Sequence, residues 1–201
     1  MGNVRGATRG PTLLCILLFT FLSTLLILSA CSGRSYHATP LDALTEFPGY
    51  LVSTDYYDKD SVRVLQQKTV AGGLVILYRW QTHESVRTKT YCLAATFVTP
   101  EGNGWRAQSS GFIGSENHRC SISDSDGFVA GYFVGGNITD LTTVFGLSNR
   151  GSAVRIQWSD GTVSTTTLEN STFLESRPQT LQVRRIQLLD ANGNILESRE
   201  F

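Results

Sequence analysis

The chain has little of what most enzyme centres are built from. Its 201 residues include 3 histidines, 4 cysteines and 1 methionine. They contain no Gly-x-Ser-x-Gly elbow, no Walker loop and no His-Glu-x-x-His pair. One sign of charge is not in excess either, with 17 basic and 17 acidic residues. No stripe of cations stands ready to release counterions from a phosphate backbone, which argues against a nucleic-acid partner. No acidic run is long enough to suit a polycation or a mineral surface. Prolines number only 5, and a content of 41% hydrophobic and 10% aromatic residues excludes a disordered chain.

What the chain does have is one long apolar run, Leu13 to Leu28, closed by Ser29-Ala30-Cys31. Arg5 and Arg9 precede it, and no acidic residue occurs before Asp42. A positive start, an apolar middle and a small-residue end is the layout of a secretory signal. Leu28-Ser29-Ala30-Cys31 resembles the lipobox of bacterial lipoprotein signal peptides. The resemblance implies cleavage before Cys31, diacylglycerol on its sulfur with an acyl chain such as palmitate on its amino group, and a location outside the cytoplasm on a cell or outer membrane. One competing reading is an ordinary cleaved signal with an incidental cysteine at the site. The other is an uncleaved anchor, but the run is shorter than the about 20 residues that cross a bilayer core, and Ser23 and Thr24 interrupt it. Myristoylation at Gly2 wants Ser or Thr at the sixth position, where Gly6 stands.

Without residues 1–30, two cysteines remain beside Cys31: Cys92 and Cys120. Outside the cytoplasm such a pair reads as a disulfide before it reads as a metal site or a nucleophile. The bridge would stabilise by about 3–4 kcal/mol on a chain-entropy estimate. His118 adds too little to the two cysteines for zinc, and no metal or other cofactor is expected.

Ser32 to Thr39 is short and polar and reads as a tether. Leu41, Leu44 and Phe47 lie on one side of two helical turns that Pro48-Gly49 ends, the only helix expected after the leader. Everything beyond reads as strand and turn. Val62 and Val64 alternate with Arg63 and Leu65. Leu74 to Tyr78 is an unbroken apolar run suited to a strand covered on both faces. Thr90–Val98, Trp105–Ile113, Phe128–Phe133, Thr142–Leu147, Ala153–Trp158, Leu181–Leu189 and Ile195–Phe201 follow, with Asp160-Gly161 and Asn192-Gly193 as hairpin turns. The expectation is an all-β fold, an antiparallel β-sandwich of one or two packed subdomains over residues 40–201, with any boundary near 126–140. Val144-Phe145-Gly146, Asp160-Gly161, Phe173-Leu174 and Asp190-Ala191-Asn192-Gly193-Asn194 together resemble immunoglobulin-like or transthyretin-like β-sandwich modules. The whole resembles the β-rich lipoproteins of bacterial envelopes, which implies no particular activity.

Candidate sites are few. Asp55 to Asp60 reads as a solvated loop. Asp124-Ser125-Asp126-Gly127 opens like a calcium loop, but Phe128 and Gly135 stand where ligands should be. His37 falls in the tether, His83 beside Glu84 in a polar turn, and His118 near Cys120, which a disulfide would remove as a nucleophile. Trp80, Trp105 and Tyr78, with Trp158, Tyr91 and Tyr132, would line a ligand cleft if they are not core. Asn137-Ile138-Thr139 and Asn170-Ser171-Thr172 are glycosylation sequons by pattern only. The leading expectation is a membrane-tethered, non-catalytic binding or envelope-structural module, whose partner is an envelope protein or an extracellular ligand. The alternatives are a small-ligand β-barrel using Trp80, Trp105 and Tyr78, and a hydrolase using carboxylates such as Glu84, Glu101 or Asp126.

Overall fold

Segments rich in valine, threonine and aromatic residues fold as strands in the computed structural model, which describes residues 36–44, 57–116, 119–135 and 140–201. Four of them make an antiparallel meander: β1 (Tyr57–Val70), β2 (Gly73–Thr82), β3 (Cys92–Glu101) and β4 (Gly104–Ile113). β5 (Ser115–Glu116) and β6 (Arg119–Cys120) form a small ribbon. β7 (Phe128–Val134), β8 (Thr142–Ser148) and β11 (Thr172–Arg177) form a second sheet in the order β11-β8-β7. β9 (Ala153–Trp158), β10 (Val163–Thr167), β12 (Val183–Leu189) and β13 (Ile195–Glu200) form a third, ordered β10-β9-β12-β13.

Side-chain alternation turns these sheets into a stack. On β8, Phe145 enters a core with Leu77, Leu93 and Phe97 of the meander. Its neighbour Val144 points the other way, into a core with Ile156, Trp158 and Ile186 of the third sheet. Phe173 and Leu174 of β11 divide in the same manner. The second sheet is therefore buried on both faces, and the expected all-β sandwich takes the form of two sandwiches sharing their middle layer. Gly111 and Gly131 permit the close approach of β4 and β7. A Cβ on Gly111 would lie 2.9 Å from Phe133, and one on Gly131 would lie 2.9 Å from Ile113.

The meander's remaining face forms a third core. Ile76, Tyr78 and Trp80 of β2 pack there with Ala43 and Leu44 of α1 (Pro40–Leu44), while Val75 and Leu77 face the second sheet. The run from Leu74 is thus covered on both faces, as its composition predicts. Each large apolar side chain so enclosed contributes about 1.5–3 kcal/mol relative to exposure.

The structure departs from the sequence reading in several places. A second helix, α2 (His83–Thr88), replaces the polar turn expected around His83 and Glu84. Thr82 accepts from the Ser85 N–H at 3.1 Å and Ser85 Oγ accepts from the Thr82 N–H at 2.7 Å, a reciprocal cap that starts a helix with no apolar stripe. On β1, register shifts between Val64 and Gln66 disturb the simple alternation. Leu65 then packs on the core and Val64 is exposed. His37 does not hang in a tether. It exchanges backbone hydrogen bonds with Trp105 at 3.0 and 2.8 Å. The expected helix beyond Leu44 lies outside the described residues.

Candidate functional site

A covalent tie stands beside a polar concavity of the described residues. Cys92, at the start of β3, is bonded to Cys120, with Cα atoms 4.7 Å apart. Beside the bridge, the Tyr91 N–H donates to the Ile122 carbonyl at 2.8 Å and the Ile122 N–H donates back at 3.1 Å. The chain then turns on itself: the Ser123 N–H donates to Asp126 Oδ2 at 2.8 Å, and the Asp126 N–H donates to the Ser123 carbonyl at 3.1 Å. This sets Asp124 beside Arg79 of β2, Nη1 to Oδ1 3.7 Å, with the Arg79 guanidinium 5.2 Å from the centre of the Tyr91 ring.

The Arg79–Asp124 pair is open to solvent, with side chains 42% and 86% exposed, so its contribution to stability is about 0–1 kcal/mol. Its importance is positional. Tyr91 lies beneath it, and its hydroxyl is held above the ordinary tyrosine range, first by burial and next by the negative charge of Asp124, with Arg79 opposing.

Two clefts meet at this trio. The first, of about 270 Å³, has Leu65 and Leu147 as apolar walls and is edged by Asp126, Asn149, Asn170 and Ser171. The second, of about 410 Å³, lies among Arg63, Gln81, Val86 and Lys89. Arg79, Tyr91 and Asp124 line both. A third cleft of about 330 Å³ lies elsewhere, between Val70 and Pro178.

Backbone strain gathers at the same place. Among the described residues, the non-glycine residues of positive φ are Lys89 (57°), Asn170 (51°) and Ser171 (64°), and all three line the paired clefts. Lys89 ends α2 as a left-handed cap. Asn170 and Ser171 form a two-residue hairpin turn, closed by Glu169 and Thr172 through bonds of 2.8 and 2.9 Å. Turns of this kind favour Asn-Gly, and serine occupies the glycine position. A left-handed L-residue costs about 1–2 kcal/mol, and such cost concentrates where a site imposes its own geometry.

Of the aromatic residues singled out by sequence, Tyr91 lines both paired clefts, and the others line none of the three. Tyr78 and Trp80 are fully buried in the core beneath α1, with Trp105 packed partly buried against it. Trp158 is core as well, its Nε1 donating to Ser164 Oγ at 2.9 Å. Of the carboxylates, Asp126 edges the first cleft, whereas Glu84 sits on α2 and Glu101 pairs with Arg106 at 3.4 Å at the opposite end of β3. They are not brought together. Cys31, His118, Asn137-Ile138-Thr139, Asp55 and Tyr56 lie outside the described residues, whereas Tyr57–Asp60, expected as a solvated loop, belong to β1 because Tyr57 and Asp58 pair with Thr82 and Gln81 of β2.

Arg63 and Lys89 were not signalled by sequence, because nothing local marks a cation that faces a cleft formed by distant strands. Asp124 and Asn170 were visible only as an incomplete calcium loop and a sequon. Among the described residues no group of three or more histidine, cysteine, aspartate or glutamate side chains could hold a metal ion, and no helix is long and apolar enough to cross a membrane. No protein-family model, curated protein or solved structure matches this chain.

Proposed function

We propose that the chain is an extracytoplasmic lipoprotein, trimmed before Cys31 and held to a membrane through that sulfur, whose layered β domain is a non-catalytic binding module. The observation that carries this reading is the Cys92–Cys120 bridge. Disulfides persist in oxidising compartments, and a leader ending in Leu28-Ser29-Ala30-Cys31 delivers its cargo to one. Diacylglycerol together with an amide-linked acyl chain holds a protein durably, where a single chain binds only marginally. In an envelope of two membranes, Ser32 after Cys31 fits sorting to the outer one. With a single membrane the domain faces outward.

The paired clefts support the binding half of the proposal, because polar groups of several kinds converge on a partly apolar floor. Mass spectrometry of the protein purified from its own membranes tests the anchoring half. The expected N-terminal peptide begins at Cys31 and carries the lipid mass, and Cys31→Ser retains residues 1–30 and takes up no lipid label. An unmodified Cys31 thiol, or a native chain still beginning at Met1, overturns the proposal.

A further inference from the structure

We infer that the paired clefts bind an acidic saccharide, its hydroxyls toward Asn149 and Asn170 and its carboxylate toward Arg63 and Lys89. This rests on the binding-module reading and names its ligand class. The two clefts differ in chemistry, and the difference prescribes the two ends of the ligand.

In the first cleft, the amides of Asn149 and Asn170 and the hydroxyl of Ser171 make no side-chain hydrogen bond among the described residues, and Asp126 accepts only from Ser123. These groups can both donate and accept at short range around Leu65 and Leu147. A pyranose has this pattern, with hydroxyls at its rim and C–H groups on its faces. In the second cleft, Arg63 Nη1 donates to the carbonyls of Asp60 and Val62, each at 2.8 Å, which fixes the guanidinium without neutralising it. Neither Arg63 nor Lys89 has a carboxylate partner among the described residues. Asp124, the acid of that cleft, is engaged by Arg79. A guanidinium held by carbonyls and a nearby ammonium, neither with a carboxylate partner among the described residues, call for an anion.

A simple anion would leave the amide rim unused, and a neutral sugar would leave the cations unused. A sugar acid satisfies both halves, and volumes of about 270 and 410 Å³ fit one or two rings lying across the Arg79–Asp124 pair. The left-handed residues Lys89, Asn170 and Ser171 belong to both ends, as expected where a site holds its loops in a costly shape.

The test titrates the full chain, in detergent micelles, with glucuronate and N-acetylmuramate, with glucose and N-acetylglucosamine, and with inorganic phosphate, read by calorimetry and by NMR shifts of Asn149 and Asn170. The sugar acids should bind about tenfold more tightly than their neutral counterparts. Arg63→Ala with Lys89→Ala should erase that ratio. Asn149→Ala with Asn170→Ala should weaken both kinds of sugar alike. All four side chains are exposed, so a single cooperative thermal transition, lowered at most by the backbone cost at residues 89 and 170, will show that the variants fold. Equal affinity for acidic and neutral sugars, phosphate binding as tightly as the sugar acids, or no binding of either sugar acid overturns the inference. An acylated chain that binds no sugar overturns the ligand alone. Binding by a chain with a free Cys31 thiol overturns the anchor alone.

Discussion

The two cores on either side of the central sheet are held by different means. The one toward the third sheet is secured locally. Asp160 Oδ1 accepts from the Thr162 N–H at 2.9 Å, and Asp190 Oδ1 accepts from the N–H groups of Asn192 and Asn194 at 2.8 Å, so each hairpin closes on its own turn. Arg177 lies 4.7 Å over the Trp158 ring at the edge of that core. Register shifts occur on both sides, once each where β12 meets β9 and β13 in the third sheet, but the core toward the meander relies on a longer-range tie. β1 shifts register twice, β3 and β4 shift once, and a disulfide ties the start of β3 to a segment far along the chain. All three clefts border the meander. The difference lies in the tie: beside the paired clefts a long-range bond does what local turns do in the third sheet.

Truncating one aromatic on each side of the central sheet should show whether these cores unfold together. Phe145→Ala and Phe173→Ala each leave a cavity and should cost about 3–5 kcal/mol. Because β8 and β11 contribute to both cores, urea denaturation should remain a single transition in each variant. Fluorescence of Trp158 and near-ultraviolet dichroism of the Tyr78–Trp80 core would then report one midpoint. Two separated midpoints in either variant would show that the shared sheet does not couple them.

Removing the covalent tie should come next in size. Cys92→Ser with Cys120→Ser should lower stability by about 3–4 kcal/mol, most of it through the unfolded chain. The location of the change sharpens the contrast. Hydrogen exchange should quicken in Cys120–Gly127 and leave β9, β12 and β13 as protected, relative to global stability, as before. Uniform loss of protection would mean that the bridge does not act on the cleft in particular.

How much of this was legible in the sequence follows the same division. Ala153–Trp158 alternates and is followed by Asp160-Gly161, and the third sheet forms as that pattern says. Leu74–Tyr78 announced a doubly covered strand, and the two late cysteines announced their bridge. The stacking of three sheets was not readable, because alternation tells which residues face inward but not that β8 has an inside on both faces. α2 escaped because its stability comes from a Thr82–Ser85 cap and not from an apolar stripe. The paired clefts escaped for a related reason. Arg63, Lys89, Asp124 and Asn170 are scattered along the chain, and tertiary packing alone assembles them.

The backbone strain can be compared across the two regions by exchanging residues between turns. Ser171→Gly should raise stability by about 1 kcal/mol, since glycine occupies a left-handed position without steric cost. Gly193→Ser should lower it by a similar amount. Gly193 has φ of 82° and open space around its Cβ position, so only the backbone term changes. The two urea midpoints should therefore move in opposite directions. Equal and negligible shifts would mean that the cleft turn carries no strain worth the name.

Extremes of pH should separate the two regions most finely. Asp160 is held below the ordinary aspartate value of about 3.9, mainly by the Thr162 hydroxyl, and Asp190 is held below it mainly by the Asn194 side chain. A carboxylate with a lowered folded value gives its stabilisation in full above about pH 3.9 and loses it as the pH falls through the folded value. Acid should therefore loosen the β9–β10 and β12–β13 hairpins first, a small effect because both carboxylates are exposed. Tyr91 has the opposite sign. Its raised hydroxyl favours the folded state up to about pH 10 and ceases to do so as the pH climbs through the folded value, where ionisation beside Asp124 disfavours the cleft. Amide exchange or NMR shifts followed at both ends of the pH range should show the third-sheet turns responding in acid and the Tyr91–Asp124 segment responding in alkali. Asp160→Asn with Asp190→Asn should remove the acid response and leave the alkaline one in place, and a variant in which both responses vanish together would mean that the two regions are not electrostatically independent.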